Sequence, residues 1–166
     1  MNYATSLLQK SHQKKDFCCG KAVLDSYLHH QASQDVKRKL SACFVSADEG
    51  NRVLGYYTLS NASIRRELLP EDIRKKLPPA YTDLPATLLG RLAVDNNVKG
   101  KKLGTFLLLD ALRRSYDISL SIGSIAVLVD PLDEDAEHFY GSFGFVKLPD
   151  SGKMFLMMST IANLFQ

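Results

Sequence analysis

A mixed α/β fold is predicted by three observations along the 166 residues. Short apolar runs of strand length alternate with segments of helical period. Pairs of such runs stand close together near the start and at the end of the chain, as hairpins do. In the middle, an apolar run enters a polar loop with two glycines and leaves it into a long helical pattern. The order of elements gives a mixed sheet flanked by helices.

Taken in order, Asp16–Gly20 reads as a loop. Residues Asp25–Arg38 have helical spacing, with Leu24, Tyr27, Leu28 and Ala32 on one side. Ser41–Ala47 is a strand, Asp48–Asn51 a turn and Arg52–Asn61 a second strand, together a hairpin. Leu69–Leu77 is a short helix with Pro70 in its first turn. Pro78, Pro79 and Pro85 make the next stretch a connector. Leu88–Val94 is the third main strand, Thr105–Tyr116 the helix after the glycine loop, and Ile125–Val129 a strand of the buried type. A helix over Asp133–Phe143 stops at Gly144, and Phe145–Leu148 and Met154–Ser159 close the sheet.

The length suits one domain, residues 1–166. Hydrophobic residues make up 45% and charged residues 23%, ordinary for a globular protein. No run of about 18 apolar residues exists, and the N-terminus has too short an apolar piece for a signal peptide, so a membrane role is not expected. The three cysteines, Cys18, Cys19 and Cys43, are odd in number and have no metal spacing. We read them as reduced thiols in the cytoplasm. Histidines at 12, 29, 30 and 138 form no HxH or HExxH pattern, so no metal is expected. The net charge of +3 is unevenly spread. Basic clusters fall within residues 1–114, and five acids within 130–137 (Asp130, Asp133, Glu134, Asp135 and Glu137). Such asymmetry suggests a polyanionic partner, although charge runs are also solvated faces.

Two segments carry chemistry. The first is the loop Lys99, Gly100, Lys101, Lys102, Leu103, Gly104, which lies between an apolar strand and a helix start. Free backbone N–H groups, the positive end of the helix dipole and the lysines together suit a pyrophosphate. Neither a Walker pattern nor GxGxxG is present. The second is Glu137–Phe145, EHFYGSFGF, which closes a helix and starts a strand. Phe139, Phe143 and Phe145 read as core, and Tyr140 as either a packed or a functional phenol.

Together these segments resemble the GNAT (GCN5-related) N-acetyltransferases, whose loop pattern is Gln/Arg-x-x-Gly-x-Gly/Ala followed by a helix. Here Lys99 replaces Gln/Arg and Lys102 stands at the first glycine, while Gly104 matches. Ala136, Phe139, Tyr140, Gly144 and Phe145 match the family's A-x-x-FY-x-x-x-GF signature, and Asp133 replaces a frequent Asn. The opening DFCCGKAVLDSYLHHQA is similar to the toxin subgroup of toxin–antitoxin modules, through Phe17, Cys19, Gly20, Leu24, Asp25, Tyr27 and Leu28. LGRLAVD at 89–95 is also typical of it.

The resemblance implies a mostly antiparallel twisted sheet, splayed where acetyl-CoA binds. It implies that backbone groups of Leu92, Ala93 and Val94 grip the pantetheine arm and that Lys99 to Thr105 take the pyrophosphate. Asp133 and Phe139 would complete the cofactor site, with Tyr140 as proton donor. The implied substrate is aminoacyl-tRNA. The implied partners are a ribbon-helix-helix antitoxin, operator DNA through the antitoxin complex only, and a second copy of the chain in a homodimer.

The chemistry agrees with that substrate. An α-amino group titrates near 7.7–8.0, far below lysine at about 10.4, so little base is needed, and none is obvious in the two segments. Lys37, Arg38, Arg65, Arg66, Arg74, Lys75 and Lys76 are candidates for tRNA phosphates, against the plainer reading as solvated surface. Arg91 sits in an apolar strand, where a charge is costly without a partner. It is a further phosphate candidate, for tRNA or CoA, or else pairs with an acid. An ordinary acetyltransferase acting on a small-molecule or protein amine is the alternative, and a catalytically silent CoA-binding module is another.

Overall fold

The computed structural model describes residues 2–166. Its seven strands are β1 (Ser6–Leu7), β2 (Ala42–Ala47), β3 (Val53–Arg65), β4 (Asp83–Val94), β5 (Ala126–Val129), β6 (Val146–Lys147) and β7 (Met154–Met157). They hydrogen-bond in the order β1-β2-β3-β4-β5-β7-β6. The helices are α1 (Ala22–His30), α2 (Ala32–Lys37), α3 (Glu71–Arg74), α4 (Leu103–Ser119), α5 (Glu134–Ser142) and α6 (Met158–Leu164). No helix among the described residues is long and apolar enough to cross a membrane.

The chain forms two compact units. One holds residues up to Ser60 together with Leu89–Ala111, and the other Asn61–Leu88 with Leu112–Gln166. In the first, β2 and β3 make the expected antiparallel hairpin, in register Ala42↔Leu59 to Ser46↔Gly55 with a slip after Ser46. The turn works because the Asp48 carboxylate accepts from Gly50 N and Arg52 N, both at 2.9 Å. Phe17, Tyr27, Leu28, Cys43, Val45 and Tyr56 centre its core. Within this unit Leu103, Leu107, Leu108 and Ala111 of α4 are buried, a stripe of helical period. In the second unit, β7 pairs antiparallel with β5 (Val127↔Leu156) and with β6 (Val146↔Phe155). Ile64, Leu84, Leu128, Leu148 and Phe155 form the core there.

Several boundaries differ from the sequence expectation. The helix expected over Asp25–Arg38 starts at Ala22 and breaks at Gln31, whose φ of −125° leaves the helical region. Strand β3 runs on to Arg65. Strand β4 begins at Asp83 and takes in Pro85, which had suggested a connector. Pro85 lacks only the donor; its carbonyl still accepts from Ile125 N at 2.9 Å. The helix expected over Leu69–Leu77 shrinks to four residues behind Pro70. Strand β1 was missed because two residues carry no alternation, and α6 because its apolar residues read as a longer strand.

Burial in the first core has a measurable consequence. The Cys19 thiol is pushed from 9.0 to about 11 and that of Cys43 from 9.0 to about 12, in both cases mainly by desolvation. Burial likewise raises the Tyr27 phenol from 10.0 to about 12, helped by its hydrogen bond to Asp35. The folded chain therefore keeps protons that the unfolded chain releases above pH 9 to 10. Stability is full below pH about 9 and falls as pH rises towards 11–12. Urea titrations at pH 8 and pH 10.5 check this, with the loss at pH 10.5 reduced in Cys43→Ala; equal midpoints for the unsubstituted chain at the two pH values would contradict it.

Candidate functional site

The glycine loop is built entirely within the first unit. Strand β4 ends at Val94, and the buried carboxylate of Asp95 caps a single 3-10 turn over Asn96–Val98 by accepting from Asn97 N at 2.8 Å. Its other oxygen accepts from Cys18 N at 3.1 Å. Asn96 N donates to Cys18 O at 2.8 Å, and Lys99 Nζ to Cys19 O at 2.7 Å. The Cys18–Cys19–Gly20 segment is thus stapled to the start of the loop. Its own fold follows from Gly20, at φ +91°, and from Asp25, which accepts from Cys19 N at 2.8 Å. The side chain of Lys99 is thereby tied to the Cys18–Gly20 segment.

Beyond it, Gly100 adopts φ +80° and has no atom within 4 Å of the position a Cβ would take. Lys102 adopts φ +65°. A left-handed residue here explains why glycine is usual at this position of the family pattern, and a lysine holds it at some cost in strain. Lys101 and Lys102 are exposed, and α4 begins at Leu103. The first-turn amides of Leu103, Gly104 and Thr105 have no partner within the helix. An anion meets donors, dipole and lysines together, so the loop fits a pyrophosphate.

Gly55 on β3 sets how closely α4 packs. A Cβ there would stand 2.8 Å from Leu107 Cδ1, 3.1 Å from Leu103 Cδ2 and 3.1 Å from the Ala93 carbonyl. Only glycine lets the first turn of α4 lie against the sheet. Asp110 on the same helix accepts from the hydroxyls of Thr5 and Tyr57, each at 2.6 Å. At the end of β4, Ala93 is buried, and Leu92 and Val94 are half-buried.

Tyr140 lies in the second unit, on α5. The cap of that helix is Asp133, which accepts from Ala136 N at 2.9 Å. Phe139 is half-buried and packs edge-on to Tyr140, ring centroids 5.5 Å apart, and Phe145 packs on Tyr140 at 5.4 Å. Gly144, at φ +98°, turns the chain out of the helix. Tyr140 is buried, and burial alone pushes its phenol up; no charge or hydrogen bond contributes. The hydroxyl therefore stays protonated at neutral pH.

The basic residues divide. Lys37, Arg38 and Lys76 are exposed, Arg65 meets Glu67 at 3.2 Å and Lys75 meets Glu71 at 3.6 Å, both pairs in solvent. Such exposed pairs contribute little and open readily. Arg66 is engaged within the chain: its guanidinium donates to Pro78 O, Arg74 O and Leu77 O at 2.6, 2.9 and 3.0 Å. Arg74 donates to Leu69 O at 3.4 Å. Arg91 lies with its guanidinium carbon 3.5 Å over the Tyr27 ring, a partner the sequence had not suggested.

Sequence reasoning also missed Asp95 and Gly55. A glycine inside the strand pattern VLGYYTL was the available signal for Gly55. For Asp95 the local Asp-x-Asn pattern signals only the cap on Asn97; its second partner, Cys18, is 77 positions away.

The model of the acetyltransferase (GNAT) family matches residues 5–145. A tRNA-acetylating toxin of Mycobacterium tuberculosis is 38% identical over 129 residues, covering 78% of this chain and 75% of the relative. The solved structure of AtaT complexed with acetyl-methionyl-tRNAfMet superposes with a TM-score of 0.91 at 28% identity, covering 99% of this chain and all of that one. A tyrosine-to-phenylalanine mutant of AtaT, bound to the C-terminus of the antitoxin AtaR and to acetyl-CoA, superposes with a TM-score of 0.82 at 25% identity, with 99% of each chain covered. The family match over most of the chain agrees with the loop and with the Tyr140 helix: this protein belongs to the GNAT acetyltransferase family.

Proposed function

We propose that this chain is a toxin that transfers acetyl from acetyl-CoA to the α-amino group of aminoacyl-tRNA, blocking translation. The observation that carries the proposal is the likeness over nearly the whole chain to AtaT, solved with acetyl-methionyl-tRNA. The loop supports acetyl-CoA as co-substrate, since Gly100 leaves open space and the first amides of α4 are unpaired within the helix. We treat residues 1–166 as one acetyltransferase domain acting in the cytoplasm, as a homodimer neutralised by a ribbon-helix-helix antitoxin that carries the complex to operator DNA.

In the reaction, the neutral α-amine attacks the thioester carbonyl, the C–S bond breaks, and the departing thiolate takes a proton. Backbone N–H groups near Leu92–Val94 are suited to the carbonyl oxygen. Tyr140 supplies the proton to sulfur. A thiol titrates near 8.5 and a phenol near 10, and burial widens that gap. The transfer is therefore uphill unless the phenoxide in turn takes the extra proton from the new amide nitrogen, which leaves Tyr140 protonated at the end of the cycle. Lys37, Arg38, Arg65, Arg74, Lys75 and Lys76 are the phosphate contacts, and Arg66 holds the Arg74–Pro78 backbone in place for them.

Lys102 offers a direct check on the loop. Lys102→Gly removes left-handed strain but adds unfolded-state entropy, so stability changes by less than about 1 kcal/mol, upward. Acetyl-CoA affinity falls roughly fivefold, the worth of one exposed charge contact of about 1 kcal/mol. Thermal denaturation and calorimetric titration measure the two; unchanged affinity would remove Lys102 from the site.

Induced expression of the chain in growing cells tests the function as a whole. Protein synthesis is expected to stop before RNA or DNA synthesis does. Continued protein synthesis with acetylated small amines accumulating would move the assignment to an ordinary amine substrate.

A further inference from the structure

Beside α1 and α2 in the first unit lies an open groove of about 780 Å3, lined among others by Val23, Tyr27, Asp35, Arg38, Leu40 and Arg91. Its volume falls within the range of small-ligand sites. The wall is unusual in being prepared for a flat group. The Arg91 guanidinium lies 3.5 Å over the Tyr27 ring. The ring itself is fixed, because its hydroxyl donates to the buried Asp35 carboxylate at 2.8 Å and its other neighbour is Tyr56, stacked at 6.3 Å. Asp35 cannot rotate away freely, since Gln31 Nε2 also donates to it, at 3.4 Å. The Arg91 guanidinium thus lies on an anchored ring. A guanidinium stacked on one ring presents its second face and its N–H rim to whatever enters the groove.

Around that plane the groove is amphipathic. Val23 and Leu40, 66% and 64% exposed, offer apolar edges at its rim. Arg38 stands at the same groove, exposed, at the end of α2. A planar cation, two apolar rims and an exposed second cation are what an unpaired nucleotide uses: a face to stack on, apolar edges, and a contact for its phosphate. A bare phosphate would need the cations but not the apolar rims.

We infer that this groove seats one unpaired nucleotide of the RNA substrate, its base stacked on the Arg91 guanidinium above Tyr27 and its phosphate at Arg38. The inference rests on the aminoacyl-tRNA reading and deepens it. Arg91, one of the phosphate candidates, becomes a base-stacking residue. All tRNAs share an unpaired 3′ end, so the slot would hold that end without choosing among tRNAs.

The test is equilibrium binding of the full chain to uncharged tRNA, intact or carrying a single abasic site at each unpaired 3′ position in turn. Binding does not require catalysis, so Tyr140 plays no part in the readout. For the unsubstituted protein, one abasic position is expected to weaken binding about 10-fold or more, the worth of a stacked base. Arg91→Lys keeps the charge but loses the plane. It is expected to bind intact tRNA about 10-fold more weakly and to be indifferent to that same abasic position. Arg38→Gln, at an exposed position, keeps the abasic effect but lowers the salt dependence of log K by about 0.7, one single-strand phosphate contact. Circular dichroism confirms that each variant is folded, and Arg38→Gln alone still decides the phosphate half if Arg91→Lys is not. Indifference of the unsubstituted protein to every abasic position overturns the slot, as do abasic and Arg91→Lys effects that multiply. No tRNA binding by the unsubstituted protein overturns the aminoacyl-tRNA reading itself, and the slot with it.

Discussion

Tyr140→Phe is expected to lower kcat for acetyl transfer by about 10²–10⁴-fold, the usual worth of a positioned general acid, with acetyl-CoA affinity nearly unchanged. The substitution removes one oxygen. The ring contacts to Phe139 and Phe145, at 5.5 and 5.4 Å, remain, so the fold does not suffer. Single-turnover kinetics beside an acetyl-CoA titration separates the two quantities. A loss below tenfold would mean that solvent or another group protonates the departing thiolate.

The second large effect is expected at Asp95, a residue with no direct part in the transfer. Its two oxygens accept from Asn97 N and Cys18 N, and removing it leaves two backbone donors without their partner. Asp95→Ala should cost about 2–3 kcal/mol of stability and at least tenfold in acetyl-CoA affinity, because the loop loses its staple to the Cys18–Gly20 segment. Asp95→Asn should be nearly as harmful. An amide has one acceptor oxygen and would aim an N–H at one of the two N–H groups. Denaturant titration and calorimetry check both variants; an Asp95→Asn protein with normal affinity would show that the staple is not what shapes the loop.

Local pattern explains what could be read from the sequence and what could not. The loop, the helix behind it and the Phe139–Phe145 segment are contiguous, so strand, glycine and helical period announce them together. Lys102 was visible as a departure from the family's glycine, although only the structure reveals the positive φ that glycine would relieve. By contrast, Asp95 meets Cys18, Arg91 meets Tyr27 and Gly55 meets α4 across long stretches of chain. No window of sequence contains both partners of any of these contacts. The break at Gln31 was hidden for a related reason: Leu24, Tyr27, Leu28 and Ala32 keep helical spacing across it, so the periodicity does not register the change in φ. Basic residues were the least legible. Arg66 and Arg65 are neighbours of identical type, yet one clamps three carbonyls and the other stands in solvent beside Glu67.

The most direct measurement of the central claim is acetyl transfer to charged tRNA. The purified chain is incubated with labelled acetyl-CoA and total aminoacyl-tRNA, with deacylated tRNA and the Tyr140→Phe variant alongside. The label should appear on charged tRNA only, be lost in the variant, and be released by mild alkali as an N-acetyl amino acid. Label on deacylated tRNA, or none on charged tRNA while free amines are acetylated, would contradict the assignment of the α-amino group of aminoacyl-tRNA as the acceptor.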